Sequence, residues 1–153
     1  MTVEDDISFF EHVPTLGLLG RQALRILAIG AETRYVHSGE VLFNAGDEGE
    51  GGFVVQEGSF QLAPAGDDGK AVVVGPYTLL GEVALFADST RAATATALEP
   101  SSVLFVPRPL FLKMLDSFPD SARKLRDSLA GRLSHSTQEI SNVRDVLAAY
   151  DRK

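Results

Sequence analysis

The 153-residue sequence contains no cysteine. Disulfides and thiolate ligands are therefore excluded, which fits a reducing cytoplasm. No apolar run approaches eighteen residues, so no membrane span is expected. Basic residues are in the minority, 14 Lys and Arg against 21 Asp and Glu, for a formal net charge of −7. Such a chain repels nucleic acid unless a local basic patch overrules the total. The amino terminus, Met1-Thr2-Val3-Glu4-Asp5-Asp6, is acidic and lacks the positive region of a secretory signal. The three histidines, His12, His37 and His135, are scattered, with neither a His-x-His nor a helical i, i+4 pair to hold a metal. No Gly-x-Ser-x-Gly elbow occurs among the serines. The paired acids Asp67-Asp68 sit in a turn without an apolar pocket to raise a carboxyl pKa. Nothing here reads as catalysis.

What is present is an ordinary globular composition, 44% hydrophobic and 23% charged, enough for one domain with a long terminal extension. Ile7 to Val13 and Leu18 to Ile29 carry apolar residues at helical spacing, split by Pro14 and Gly17 and stopped near Gly30. From Thr33 to Val106 the texture changes to short runs of Val, Phe, Leu and Thr between Gly, Asp, Ser and Pro clusters. This predicts a β sandwich or barrel. The expected strands are Val41–Phe43, Gly52–Gln56, Ser59–Leu62, Ala71–Val74, Ala93–Leu98 and Ser102–Val106, with a hairpin turn at Gly66-Asp67-Asp68-Gly69. After Pro107 the helical period returns, first through Leu110, Phe111, Met114 and Leu115, then from Pro119 to about Tyr150. The Gly-rich run Gly46 to Gly52 carries three acids and no terminal Lys-Ser/Thr, so it reads as a turn rather than a phosphate cradle.

One stretch speaks about chemistry. Gly81-Glu82-Val83-Ala84-Leu85 is followed, after five residues, by Arg91-Ala92-Ala93. It offers a short helical start with unpaired N–H groups, a carboxylate suited to a sugar hydroxyl, and a guanidinium suited to a phosphate. A singly charged phosphate ester of a nucleoside needs those three together.

At these residues the sequence resembles the phosphate-binding cassette of cyclic nucleotide-binding domains, as found in regulatory subunits of cyclic-AMP-dependent protein kinase and in catabolite-activator-type sensors. The resemblance continues upstream through Gly39-Glu40-Val41-Leu42-Phe43, Gly46-Asp47 and Phe53-Val54-Val55-Gln56-Glu57-Gly58. It covers about Phe9 to Ser117. Leu80 and the polar Ser89-Thr90 depart from the family's average cassette.

The resemblance implies a mainly β fold with flanking helices, a jelly-roll or β-roll of the cupin-like double-stranded β-helix kind, with N-terminal helices and a long C-terminal helix. Residues 1–118 would form the roll with its helical bundle, and 119–153 a lid and dimerisation helix. It implies a non-catalytic sensor that needs no cofactor. Arg91 would pair with the phosphate, helped by the N–H groups of Ala84, Leu85 and Ala92, and Glu82 would accept the ribose 2′-hydroxyl, with Gly81 allowing close approach. Val83 and Ala93 complete the expected ligand-binding set. In the family a Thr or Ser after the cassette Arg reaches the guanine amino group; Ala92 has no hydroxyl, which favours cyclic AMP over cyclic GMP. Arg123 and Arg126, on the helix that lies over the base in the family, are the candidate lid residues.

In the tail, Leu129, Leu133, Ser136, Ile140, Val143, Leu147 and Tyr150 alternate four and three apart, the spacing of a coiled-coil seam. A homodimer through this helix is expected, with ligand closure biasing how two copies associate. Signalling would then run through an unidentified effector protein. The alternatives are a module that kept the fold and lost the ligand, and a transcription factor, the latter disfavoured because no helix-turn-helix follows by Lys153.

Overall fold

The computed structural model describes residues 2–65 and 70–130. Helices α1 (Val3–Glu11) and α2 (Arg21–Gly30) lead, joined through a 3-10 turn at Leu16–Leu18. Ten strands follow: β1 (Glu32–Val36), β2 (Val41–Phe43), β3 (Glu48–Gly49), β4 (Gly51–Glu57), β5 (Phe60–Pro64), β6 (Val72–Val74), β7 (Leu79–Leu80), β8 (Ser89–Thr90), β9 (Ala93–Ala97) and β10 (Ser101–Pro107). A second 3-10 turn, Val83–Leu85, separates β7 from β8, and helices α3 (Arg108–Ser117) and α4 (Pro119–Ala130) close the described chain. The expected coiled-coil seam beyond Ala130 and the hairpin at 66–69 lie outside the described residues.

The strands form two antiparallel four-stranded sheets, ordered β1-β10-β4-β7 and β2-β9-β5-β6, with β3 and β8 as a separate two-stranded ribbon. The central pair, β4 and β10, explains why two cores exist. Along β4, Phe53 and Val55 face the other sheet while Val54 faces the helices; along β10, Val103 and Phe105 alternate with Leu104 and Val106 in the same way. Side chains on a strand alternate faces, so a strand covered on both faces must be apolar throughout. One core fills the roll with Phe53, Phe60, Ala95, Ala97 and Phe105. The other joins the sheet to α1, α2 and α3 through Ile7, Phe10, Leu24, Leu27, Phe111 and Met114.

Local chemistry places the ends. Thr2 and Asp5 form a reciprocal capping box at the start of α1, each side chain accepting from the other's backbone N–H at 3.1 Å. Gly30 ends α2 as expected, and it also makes room: a Cβ there would lie 2.7 Å from both methyls of Leu110. Ser121 Oγ donates to the Leu19 carbonyl at 2.7 Å, tying α4 to the N-terminal bundle.

Four strands escaped the sequence. β1 is exposed at Glu32, Thr33, Arg34 and Tyr35 and buried only at Val36, so it shows no alternation; pairing with β10, from Glu32↔Phe105 to Val36↔Ser101, holds it in place. β3, β7 and β8 are two residues each, too short for any period.

Gly51, at the start of β4, faces Pro107 of β10 so closely that a Cβ would fall 2.1 Å from the Val106 carbonyl oxygen. Backbone atoms cannot step aside as a side-chain tip can. Gly51→Ala is therefore expected to cost about 2–3 kcal/mol and to lower the melting temperature by roughly 4–12 °C, read by thermal denaturation. A melting temperature equal to that of the wild type would contradict this packing.

Candidate functional site

Arg91 sits where the β3–β8 ribbon meets β9. Its own backbone is fixed on both sides: its N–H donates to the Asp47 carbonyl at 2.7 Å, and its carbonyl accepts from the Gly46 N–H at 2.8 Å. Gly46 takes φ = +90°, a turn that favours glycine. The ribbon register, Glu48↔Thr90 and Gly49↔Ser89, brings Gly49 beneath the guanidinium; a Cβ there would lie 3.2 Å from Arg91 Cζ. The Gly-rich run read as a simple turn thus packs against the guanidinium through Gly49.

The guanidinium is held from above by two rings, with Cζ 4.6 Å from the Phe43 centroid and 5.4 Å from that of Phe53. Arg91 is only 8% exposed, yet its Nη1 has no hydrogen-bond partner. Burial pushes its pKa below the ordinary guanidinium value, Asp47 and Glu50 pull it back up, and Arg108 adds to the downward push. A buried cation with an unused donor costs free energy as it stands, and a bound anion would offset that cost.

Opposite Arg91 lies Gly81 at φ = +80°, where a Cβ would fall 2.0 Å from Nη1. Only glycine gives both the backbone angle and the space. Glu82 follows, at the head of the Val83–Leu85 turn, and its Oε2 accepts from Thr15 Oγ1 at 2.7 Å. Thr15 is buried and stands at φ = 78°, uncommon for a β-branched residue, so the N-terminal segment is tied directly to this carboxylate.

These groups surround one cavity of about 230 Å³, lined by Gly81, Glu82, Val83, Ala84, Arg91, Ala92 and Ala93 together with Phe43, Leu62, Leu79, Leu80, Ser89 and Thr90. The sequence-predicted residues are therefore brought together, with exceptions. Leu85 points away from the cavity, fully buried in the helical core. The N–H groups of Ala84 and Leu85, expected to hold a phosphate, instead donate to the carbonyls of Gly81 and Glu82, both at 3.1 Å. The reason is the tight 3-10 winding: its i→i+3 bonds use these donors and turn Leu85 inward. Arg123 pairs with Asp120 and Arg126 with Asp127, and neither lines the cavity.

Phe43, Leu62 and Leu79 were not singled out as site residues. Phe43 had a signal in the Gly-Glu-x-Leu-Phe motif. Thr15 had none, because its partner lies 67 residues away in sequence.

Comparison with known proteins agrees with this geometry. Residues 33–118 match the family model of the cyclic nucleotide-binding domain. The chain is 30% identical over 125 residues to the lysophospholipase nte1 of Aspergillus oryzae, covering 74% of this chain and 8% of that protein. It is 30% identical over 116 residues to the cAMP-dependent protein kinase regulatory subunit of Yarrowia lipolytica, covering 76% of this chain and 30% of that protein. Among solved structures, the N-terminal domain of a transcriptional regulator from Streptomyces coelicolor A3(2) superposes with a TM-score of 0.72 at 30% identity, covering 82% of this chain and 90% of that one. The chain thus spans only a small part of the curated relatives it matches. It belongs to the cyclic nucleotide-binding domain family. The mainly β roll with flanking helices is the fold that membership implies. No helix among the described residues is long and apolar enough to cross a membrane.

Proposed function

We propose that this chain is a non-catalytic cyclic nucleotide sensor that prefers cyclic AMP and signals through another protein. The observation that carries the reading is the buried Arg91 guanidinium, with Nη1 unpartnered beside a cavity. A cyclic phosphate is a compact monoanion, and a charge-assisted pair with this fork would satisfy the orphan donor. With the Ala84 and Leu85 N–H groups engaged inside their turn, the phosphate contact rests on Arg91 and the Ala92 N–H. Glu82, on the same cavity wall, accepts the ribose 2′-hydroxyl, and a carboxylate has acceptor capacity for that proton alongside Thr15. The remaining lining is largely apolar, as the face of a base requires. Ala92 presents only a methyl where a hydroxyl would reach the guanine amino group, which supports the preference for cyclic AMP.

The alternative, a family member that has lost its ligand, would retain a buried unpaired cation at a standing cost to stability. The Arg91 environment favours the sensor. Closure of the later helices over the ligand, a dimer seam and an effector protein belong to the same reading; the first follows only if ligand binds the closed arrangement better.

Thermal denaturation with cyclic AMP, cyclic GMP and 5′-AMP tests the assignment. A ligand at about 100 times its Kd stabilises the native state by ~2.7 kcal/mol. Cyclic AMP is thus expected to raise the melting temperature by roughly 5–11 °C, cyclic GMP by less, and 5′-AMP not measurably. No shift with either cyclic nucleotide would sink the reading.

A further inference from the structure

A second arginine stands behind the first. Arg108 is the opening residue of α3, and its guanidinium faces back toward the ribbon and the 3-10 turn. Nη1 donates to three carbonyls, Gly49 at 3.0 Å, Ala84 at 3.1 Å and Ala87 at 3.0 Å, while Nη2 donates to Asp88 Oδ1 at 2.7 Å. Its backbone N–H donates to the Glu50 carbonyl at 2.9 Å. A single Nη1 carries two hydrogens, so one of them is shared between acceptors. Three carbonyl oxygens converge there because a cation holds them.

The acceptors belong to two elements that meet at Arg91, and of the three carbonyl residues Ala84 lines the cavity. Gly49 lies in β3, directly under the Arg91 guanidinium. Ala84 and Ala87 lie in and just after the Val83–Leu85 turn, whose last carbonyls have no donor within the turn. The two elements also touch: a Cβ on Gly49 would come 2.8 Å from the Ala84 methyl. The Arg108 side chain is only 20% exposed, so these bonds are shielded from competing water. Phe111, three residues on, packs edge-on against Phe86 with centroids 5.2 Å apart, so α3 grips the same turn at a second point.

We propose that Arg108 is a positioning residue for the anion site: it fixes the spacing between β3 and the turn, and so keeps the Arg91 guanidinium aimed into the cavity. This rests on the cyclic nucleotide reading given above. It adds that the cavity cannot change shape without moving the first residue of α3, because one guanidinium spans all three elements. A lysine could reach some of these carbonyls but has no planar fork with which to hold both elements.

The test pairs Arg108→Met, which keeps an unbranched side chain without donors, with Arg108→Lys. Two quantities are read on each: cyclic AMP affinity by titration calorimetry, and the Arg91 Nε–H resonance of the ligand-free protein in an amide-type ¹H–¹⁵N spectrum, assigned with Arg91→Lys. Arg108→Met is expected to bind about 10- to 100-fold more weakly and to shift the Arg91 resonance before any ligand is added. Arg108→Lys is expected to recover more than half of the lost affinity on a logarithmic scale and to bring the resonance back toward its wild-type position. A purely structural staple would lower the melting temperature and leave the Arg91 resonance where it was. If Arg108→Met does not fold, Arg108→Lys decides alone: a weaker affinity with a shifted Arg91 signal supports the assignment. Wild-type affinity with an unmoved signal in a folded variant overturns it. Failure of the wild-type protein itself to bind any cyclic nucleotide is a different result, and removes the site along with its positioning residue.

Discussion

Arg91→Ala is expected to bind cyclic AMP about 30- to 1,000-fold more weakly than the wild type, because losing a desolvated, charge-assisted pair costs roughly 2–4 kcal/mol. Burial sets the size of this loss. At 8% exposure the guanidinium would meet the phosphate out of water, and among the described residues no second cation lines the cavity to take over its part. The ligand-free protein should respond differently. Removing a buried cation whose Nη1 has no partner relieves a desolvation cost, which offsets the lost contacts with the Phe43 and Phe53 rings. Its melting temperature is accordingly expected to stay within about 4 °C of the wild type. The ligand-induced rise in melting temperature should disappear. An affinity unchanged on titration would show that the phosphate binds elsewhere.

Gly81→Ala should damage the same site from the opposite wall while leaving Arg91 in the sequence. The new methyl would fall 2.0 Å from Arg91 Nη1, the tip of a long side chain. Such a clash is relieved by swinging the tip away, so the fold survives and the aim of the guanidinium does not. The φ of +80° adds about 1–2 kcal/mol of backbone strain for any residue with a Cβ. The expected outcome is a melting temperature lower by roughly 2–8 °C. Cyclic AMP affinity should fall by about 10- to 100-fold, the scale of one lost charge-assisted hydrogen bond. Unimpaired binding by Gly81→Ala would mean that Arg91 does not need its present position.

How much of this was legible in the sequence depends on distance along the chain. Gly81, Glu82, Val83, Ala84, Arg91, Ala92 and Ala93 lie within one short segment whose resemblance to a phosphate-binding cassette proposed a shared site, and they do line one cavity. β4 and β10 were legible because Phe53–Val55 and Val103–Val106 are buried on both faces and apolar without interruption. β1 was not, since it is held by pairing with β10 rather than by its own pattern. Leu85 was assigned to the ligand by resemblance, for its backbone N–H, but the 3-10 winding spends that donor on the Glu82 carbonyl and sends the side chain to the helical core. Thr15 and Arg108 were invisible for another reason. The first meets Glu82 from a distant segment, and three of the second's four guanidinium acceptors are backbone carbonyls, which residue type does not reveal.

The same logic sorts the two arginines. Arg108 has its donors satisfied by Gly49, Ala84, Ala87 and Asp88, whereas Arg91, on the other side of Gly49, keeps Nη1 unused. One cation ties β3 to the turn, and in the proposed reading the other is left for an anion. That division of labour is the physical content of the proposed sensor.

The most direct measurement is a crystal structure of the protein soaked with cyclic AMP. The account predicts a phosphate oxygen about 2.7–2.9 Å from the Arg91 guanidinium, with the ribose facing Glu82. Nucleotide ordered elsewhere on the protein, with the position 91 side chain still lacking an anionic partner, would contradict it.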